Sequence, residues 1–406
     1  MEGAIRNQGS APDYSARIGY DRAVQTREQR LVVGLSSNVL ASHGAALRPD
    51  GIGTYTRELE HALTSEGALV RRVGAPVRNG VRLARPAGAA LYFPLPLPLL
   101  IAAASLRMSA PMSGAIRRGI DVYHATDYMV PRLARTPVVA TLYDAIPLAH
   151  PQWANPRLRR TKNWLLREGA RSADLVIAIS HAAADDVVEH YRIPRERIRV
   201  VPLGVNGRWF ESPQPAAIEA ALARHRLRRG YVLHVGTLQP RKNVDALVSA
   251  YERLPESLRR ERQLVLVGKY GWAAQALRKR LAALKANEQI VWLDYVARDD
   301  LHALYHAAGM FAFPSLCEGF GLPVLEALAC GLPVVASDLP ALREVAGAFA
   351  TWVEPGNVDA LAEAIEKLHV ADAGVSARGL RRAHARGFSW QRCARMTLTV
   401  YRELMH

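Results

Sequence analysis

Short apolar runs rich in β-branched residues alternate along the chain with longer amphipathic stretches. RLVVGLSS (30–37) predicts a buried first strand, and YTRELEHALTSEG (55–67) predicts the helix that follows it. Further runs of the same kind predict strands within 68–74, 121–126, 136–144, 173–180 and 197–205. Apolar strands separated by helices are typical of a parallel sheet covered on both faces, so this half is expected to be a doubly wound α/β domain.

The rhythm breaks at 206–229 and restarts with YVLHVGT (231–237). Pro213 and Pro215 favour a linker with a short helix in the break. Later strand-like runs lie within 263–269, 289–296, 310–315, 333–338 and 349–355. Two successive α/β halves predict two Rossmann-like domains that face each other across a cleft, with ligands outside the carboxyl ends of the strands.

These breaks give the expected division of the chain. We expect a disordered N-terminal extension at 1–30 and an N-terminal acceptor domain at 31–206. A linker at 207–229 leads to a C-terminal donor domain at 230–388, and a helix at 389–406 is expected to pack back on the N-terminal domain. The first segment is polar and lacks the apolar core of a secretory signal. The most apolar run, 91–108, contains three prolines that would break a membrane-spanning helix, so core packing or an apolar acceptor surface is expected there.

Composition narrows the classes of partner and compartment. Half of the 406 residues are hydrophobic, enough for two cores, and the three cysteines lack the spacing of a disulfide framework or a metal site. A reducing, cytoplasmic location is therefore expected. The net charge of +16 favours an anionic partner, although a preference for arginine in a GC-rich genome explains part of it. No zinc-finger, RNP-like or basic-zipper pattern occurs, so a nucleic-acid partner is not expected.

The segment FAFPSLCEGFGLPVLEALACGLPVVASDLPALREVAG (311–347) carries the candidate chemistry. Glu318 and Glu326 flank a Gly-Phe-Gly turn, and Pro323 predicts a helix that begins near Leu322. Backbone N–H groups at a helix N-terminus bind anions, and glycine lets a diphosphate approach closely. The groups expected to do so belong to Gly319, Phe320, Gly321 and Leu322.

The two glutamates have separate expected roles around that turn. Glu326 would accept hydrogen bonds from ribose hydroxyls, and Glu318 from sugar hydroxyls on the other side of the phosphates. A plain turn followed by a solvated helix residue would explain either glutamate alone. The ordered set of strand, glutamate, Gly-Phe-Gly, proline, glutamate and small-residue helix favours a binding site.

With these residues the chain resembles glycosyltransferase family 4, retaining enzymes of GT-B architecture. The resemblance extends to HVGTLQPRKNVDALVSAY (234–251), DGIGTYTRELEHAL (50–63) and DVYHATDYMVP (121–131). It implies a nucleotide-sugar donor, a glycan or lipid-linked acceptor, and no cofactor. The GTLQPRKN form is similar to bacterial mannosyl- and rhamnosyltransferases of surface polysaccharides, which makes GDP-mannose the first expectation for the donor.

The resemblance also assigns the phosphate site. Lys242 would hold the diphosphate and stabilise its growing charge during bond cleavage. Many relatives carry an arginine where this chain has Thr237, so Arg241 is expected to supply the second cation. Gly51 and Gly53 would form a loop that closes over the donor or acceptor.

The N-terminal domain departs from the family pattern at the sugar-contacting positions. A pair of histidines in many relatives is reduced here to His124 with Thr126, and Tyr143 replaces a histidine before Asp144. The expected catalytic set is Glu318, Lys242 and His124, and the sugar-contacting role is left open between His124, Asp144 or neither. No Asp-x-Asp motif occurs, so metal-independent transfer is expected, with the leaving phosphate oxygen taking the acceptor's proton.

Three alternatives remain at this level. A GT-B phosphorylase would need a cofactor lysine and a longer chain, and an epimerase would lack the 318–326 pattern. A catalytically degenerate nucleotide-sugar-binding or scaffold protein of a polysaccharide assembly complex fits the departures at 126, 143 and 237. Separately, the basic segment NPRLRRTKNWLLREGAR (155–171) favours either an interfacial helix on anionic lipid, which would make the protein peripheral on the inner membrane, or an ordinary solvated helix.

Overall fold

The structure is a computed structural model, and it describes residues 30–41, 51–79, 82–84, 88–110, 113–128, 130–153, 159–271, 274–284, 288–371 and 375–405. Of the expected N-terminal extension, 1–30, only Arg30 lies within these ranges.

The N-terminal domain is built on one parallel sheet. Its strands are β1 (Val32–Ser36), β2 (Leu69–Gly74), β5 (Leu91–Tyr92), β6 (Val122–Ala125), β7 (Val138–Leu142), β8 (Leu175–Ala178) and β9 (Ile198–Val200), and β3 (Val77–Asn79) and β4 (Arg82–Ala84) form a separate hairpin. The order β5-β2-β1-β6-β7-β8-β9 places the reversal of strand order between β1 and β6. Its helices are α1 (Asn38–Ala41), α2 (Gly51–Ser65), α3 (Leu97–Ser105), α4 (Gly114–Gly119), α5 (Ile146–Ala149), α6 (Arg159–Arg171) and α7 (His181–Asp186), the last continued by a π turn over Val187–Tyr191.

The C-terminal domain repeats this plan with six parallel strands. They are β10 (Val232–Val235), β11 (Leu264–Val267), β12 (Ile290–Leu293), β13 (Met310–Phe313), β14 (Val334–Ser337) and β15 (Thr351–Val353), in the order β12-β11-β10-β13-β14-β15. The helices are α8 (Pro215–His225), α9 (Val244–Arg253), α10 (Glu256–Glu261), α11 (Gln275–Leu284), α12 (Arg298–Ala307), α13 (Leu322–Cys330), α14 (Pro340–Ala346), α15 (Val358–Ala371), α16 (Val375–Arg386) and α17 (Trp390–Glu403). This is the Rossmann order, with its switch point between β10 and β13.

Burial explains why the apolar runs became strands. Every residue of β7, β8, β10, β11, β13 and β14 is buried, as expected for strands covered by helices on both faces. The predicted pair of Rossmann-like domains is confirmed. Two features had no expectation: the two-residue edge strand β5 and the β3–β4 hairpin, both too short to leave a periodic signal.

The domains are joined where two chain segments cross side by side. The Val205 N–H donates to the carbonyl of Phe388 at 3.0 Å, and Val205 pairs in parallel with Ser389. A Cβ on Gly204 would lie 2.2 Å from the backbone nitrogen of Trp390, so only glycine fits this crossing. Beyond it, α17 packs against α2 of the N-terminal domain.

The segment 207–229 packs as part of the C-terminal domain. α8 lies against α12, and the buried Trp209 ring contacts Tyr305 at a centroid distance of 4.9 Å. The expected linker with a short helix contains α8, and apolar residues such as Ile218 and Leu222 give this helix a buried face.

Candidate active site at the meeting of the two sheets

Two loops of the C-terminal domain meet at its switch point. β10 leads into a turn that contains Arg241 and Lys242, and β13 leads into the segment 314–321. The Leu316 N–H donates to the carbonyl of Arg241 at 2.7 Å, which fastens one loop to the other. Parallel strands place their carboxyl ends at one edge, so residues far apart in sequence come together here.

The meeting loops bring three charged side chains into one buried group. The Lys242 Nζ donates to Oε1 of Glu318, and the Arg241 guanidinium donates to Oε2 at 3.2 Å. The Glu318 side chain is 7% exposed and that of Lys242 is 9% exposed. Lys242 also lies over the Phe313 ring, 4.6 Å from its centroid. One contact group thus unites three residues that were each expected at the donor site, namely Glu318, Lys242 and Arg241.

Burial and neighbouring charge act in opposite directions on this group. Burial raises the pKa of the Glu318 carboxyl, but the cations of Lys242 and Arg241 outweigh it and lower the pKa to about 2. For Lys242, burial is the larger effect and lowers the pKa to about 8, although Glu318 acts to raise it. Glu318 is therefore ionised at neutral pH, while Lys242 is charged but loses its proton above about pH 8.

The Gly-Phe-Gly turn has two glycines with different tasks. Gly321 has a φ of +104° and precedes α13, which begins at Leu322 as predicted. Gly319 lies against the other domain, since a Cβ there would come within 1.9 Å of the carbonyl oxygen of Tyr143. Phe320 is buried and packs edge-on near Phe388 at 6.2 Å. We expected these glycines to admit a diphosphate; Gly319 here admits the opposite domain.

Asp144 is the acidic residue that the N-terminal domain presents to this group. Burial raises the pKa of its carboxyl, and the nearby Arg241 charge acts to lower it. Its Oδ1 accepts from the Ile146 N–H at 3.1 Å. Of the two residues that the sequence left open for the sugar-contacting role, Asp144 is the one beside the charged group.

His124 is placed in the core instead. Its ring is fully buried, with Nδ1 2.6 Å from the Tyr401 hydroxyl and Nε2 2.8 Å from the Thr141 hydroxyl. Burial lowers its pKa to about 3, so the imidazole is neutral. Direct contact between His124 and a sugar does not fit this placement, because both ring nitrogens are engaged by hydroxyls of the protein.

The two departures from the family pattern contact each other. The Tyr143 hydroxyl donates to the backbone carbonyl of Thr126 at 2.6 Å. The Thr126 hydroxyl in turn lies 2.9 Å from that of Thr56 and donates to the carbonyl of Ser36. These hydroxyls connect the ends of β1, β6 and β7 within the N-terminal core.

Gly51 and Gly53 lie in the first turn of α2, not in a loop. Gly53 is buried, while Gly51 is exposed with open space around the position of a Cβ. The expected glycine loop at 50–54 is therefore corrected to a helix start; Asp50 lies outside the described residues.

Glu326 and Thr237 border the charged group. Glu326 projects from the second turn of α13, is 7% exposed, and accepts from the Tyr305 hydroxyl at 3.2 Å. Thr237 follows β10 and is half-buried against the loop at Gly271. The placement leaves the expected ribose role of Glu326 and the donor contact of Thr237 as predictions.

Several residues at the site were missed by the sequence analysis. His234 is fully buried beneath the switch point, its Nδ1 donates to the Ala312 carbonyl at 3.0 Å, and burial lowers its pKa to about 4. Ser180 caps the N-terminus of α7. It does accept from the Ala183 N–H, but its hydroxyl also donates across the cleft to the Gly319 carbonyl at 2.7 Å.

Glu344 is a further missed contact between the domains. Its carboxylate accepts from the backbone N–H groups of His181 and Ala182, both at 2.7 Å, at the start of α7. A lone glutamate on α14 gives no sequence signal, because the partner is backbone of the other domain. Among the described residues, no three His, Cys, Asp or Glu side chains are grouped to hold a metal ion.

Comparison with known proteins covers both halves. Residues 49–208 match the family described as Glycosyltransferase Family 4, and residues 223–372 match Glycosyl transferases group 1. The O-antigen chain mannosyltransferase B of Escherichia coli is 32% identical to this chain over 371 residues, which cover 87% of this chain and 96% of that protein.

Solved structures share the two-domain arrangement. Sucrose-phosphate synthase from Thermosynechococcus elongatus superposes with a TM-score of 0.70 at 22% identity, over 93% of this chain and 99% of that one. Anabaena HepE in complex with UDP-glucose gives a TM-score of 0.67 at 18% identity, over 93% and 100%. Identities this low show the fold alone. The sequence matches go further: the chain belongs to glycosyltransferase family 4 and is a hexosyltransferase of GT-B architecture.

Proposed function

We propose that the chain is a retaining mannosyltransferase that uses GDP-mannose to extend a surface polysaccharide on a glycan or lipid-linked acceptor. The observation that carries the catalytic part is the buried group of Lys242, Arg241 and Glu318 at the switch point of the C-terminal sheet. Such a position is where α/β sheets bind nucleotides.

The charges of the group suit a leaving diphosphate. Two cations share one carboxylate, so a net positive charge lies next to the N-terminus of α13. Burial weakens the screening of these charges by water, which strengthens their effect on an anion. As the glycosidic bond breaks, negative charge grows on the diphosphate, and Lys242 and Arg241 would stabilise it without any movement.

The proton and the sugar need other groups. In a front-face displacement the acceptor hydroxyl passes its proton to the departing phosphate oxygen, so no separate base is required. Asp144, across the cleft from Arg241, would accept a hydrogen bond from a hydroxyl of the transferred sugar. Once the diphosphate binds, Glu318 would bond less strongly to Lys242 and would accept a hydrogen bond from the same sugar.

The choice of mannose is supported by the relatives. The Escherichia coli protein that matches over 87% of this chain is a mannosyltransferase of the O-antigen chain. A second relative from Mycolicibacterium hassiacum, 30% identical over 73% of this chain, is an α-(1→4)-mannosyltransferase. A lipid-linked acceptor would place the reaction at the inner surface of a membrane; none of the described helices is both long and apolar enough to cross one.

A donor panel tests the proposal. Purified protein and a glycan acceptor are incubated with GDP-mannose, GDP-rhamnose, UDP-glucose or UDP-galactose, with and without a chelator, and free nucleoside diphosphate is measured. We expect release from GDP-mannose that the chelator does not abolish, and a product whose anomeric configuration by NMR matches the donor. Binding of a donor without release would instead favour the nucleotide-sugar-binding or scaffold protein. Release only from another donor would overturn the assignment of mannose.

A further inference from the structure

An entire helix face on the N-terminal domain is both exposed and apolar. Pro98 and Leu99 are exposed on α3, Ala102 and Ala103 are half-buried, and Leu106 is exposed directly after the helix. Leu100, Ile101 and Ala104 fill the core side. A helix that is apolar all round is ordinarily buried. This one belongs to the apolar run at 91–108, whose location in the fold the sequence did not resolve.

The basic helix α6 lies beside it. The Ser105 hydroxyl is 3.3 Å from the carbonyl of Leu165, so Leu106 and Trp164 each lie one residue from this contact. Together the two helices form an apolar ridge, defined by Leu99, Leu106, Met108 and Trp164, whose exposed fractions are 55%, 65%, 59% and 46%. Large side chains this exposed and this close together mark an interaction surface.

Cations border the apolar ridge. Arg107 interrupts it, and Arg160 and Lys162 are exposed on α6 one turn or less from Trp164. On the same face of α6, seven residues from Trp164, Arg171 lines a cavity of about 380 Å³. Arg132 and Arg197 also line this cavity, and Arg132 donates to the carbonyl of Arg107 at the end of the ridge. The cavity holds three arginines against one carboxylate, Asp174.

We propose that the apolar ridge and the arginine-lined cavity dock the N-terminal domain on a bilayer surface that contains anionic lipid. Apolar side chains would enter the region between headgroups and acyl chains, and the cations would contact lipid phosphates. A second copy of the chain is disfavoured as the occupant because the cations would then face like charges. The inference deepens the proposed function and rests on it for its purpose, but lipid binding is read without any donor.

Vesicle flotation tests the docking. The full chain is mixed with vesicles of phosphatidylcholine alone or with phosphatidylglycerol added. We expect flotation only with phosphatidylglycerol, weaker as salt rises because the surface charge is screened. The variant Leu99→Ser/Leu106→Ser/Trp164→Ser should lose most of its flotation. The variant Arg160→Glu/Lys162→Glu should lose the part of the flotation that high salt also removes from the wild type.

Matched controls lie on the C-terminal domain. Leu380 and Tyr295 are comparably exposed, at 57% and 56%, so Leu380→Ser/Tyr295→Ser should float like the wild type. Arg278→Glu/Lys279→Glu reverses two charges on α11 and should do the same. Equal flotation of ridge and control variants, or none by the wild type, would overturn the inference. So would a wild-type dimer in solution that the ridge variant converts to monomer. Nucleoside diphosphate release in detergent, measured on each variant, reports separately on the transferase.

Discussion

The two cleft edges of this glycosyltransferase carry different kinds of side chain. The C-terminal edge holds three formal charges, those of Lys242, Arg241 and Glu318, supplied by two short loops. The N-terminal edge is made largely of hydroxyls and rings that bond to one another, such as Tyr143 with the carbonyl of Thr126. Asp144 brings a charge from that side to the charged group.

The proposed function accounts for this difference. A diphosphate is the same in every nucleotide-sugar, so a compact charged group of fixed geometry suits it. An acceptor differs from enzyme to enzyme, and an edge of neutral hydroxyls satisfied within the core leaves recognition to residues around it. Removing charge on the C-terminal side should therefore affect turnover more than any change to the N-terminal hydroxyls.

The largest effect is expected from Lys242→Ala. Loss of one preorganised charge at the leaving group should lower kcat by about 10²–10³-fold, measured as nucleoside diphosphate release. Lys242→Met, which keeps the length of the side chain, should lose a similar amount. Lys279→Ala, on the exposed face of α11, is the control and should keep full turnover. Wild-type turnover in a folded Lys242→Ala protein would break the comparison between the edges.

Glu326→Ala should weaken nucleotide binding on the same side. Loss of an ionised acceptor for the ribose hydroxyls costs about 1.5–3 kcal/mol, which is roughly 10- to 100-fold in Kd by calorimetry. Tyr305→Phe removes the hydroxyl that donates to Glu326 but leaves the carboxylate, so its effect should be smaller. Unchanged affinity in Glu326→Ala would remove Glu326 from the donor site.

On the N-terminal side, Asp144 and His124 should separate activity from stability. Asp144→Asn should lower kcat about tenfold, equivalent to roughly 1.4 kcal/mol of transition-state binding. His124→Phe leaves the buried Tyr401 hydroxyl without this partner, while Thr141 keeps its contact with Tyr55, so it should cost about 1–3 kcal/mol of stability in urea unfolding. The stable fraction of His124→Phe should keep its kcat. The reverse pattern would restore the sequence-based role of His124.

The smallest expected effect is a pH dependence of kcat/KM. Because the pKa of Lys242 is lowered to about 8, its charge is present below that pH and lost above it. The value of kcat/KM, which reports the free enzyme, should fall about twofold between pH 7 and pH 8 and further beyond. Lys242→Arg stays charged, so its profile should be flat over the same range. A flat wild-type profile would mean that another group holds the diphosphate.

The sequence predicts most of the fold because the signal for each element is local. The sequences of β10 and β13 are apolar and rich in β-branched or aromatic residues. Gly321 and Pro323 signal the start of α13 at Leu322. The charged group was predictable for the same reason: Arg241 and Lys242 follow one strand, Glu318 follows the next in space, and parallel strands end at one edge.

The rest depends on contacts between distant segments. Gly319 looked like a phosphate-binding residue, but its nearest neighbour is the Tyr143 carbonyl of the other domain. His124 was a candidate for the sugar contact, yet α17 covers it with Tyr401, which lies 277 positions further along. No pattern within either segment encodes such a partner, because the partner is fixed by how the two domains close.

The same closure has a mechanical consequence. The domains are tied on one side by the crossing at Gly204 and Trp390, and on another by Glu344, whose carboxylate holds two N–H groups of the opposite domain. The two domains can therefore separate by rotation about the crossing once the Glu344 contacts break. Such a rotation would let substrates enter and products leave in each catalytic cycle, while the crossing keeps the two domains aligned.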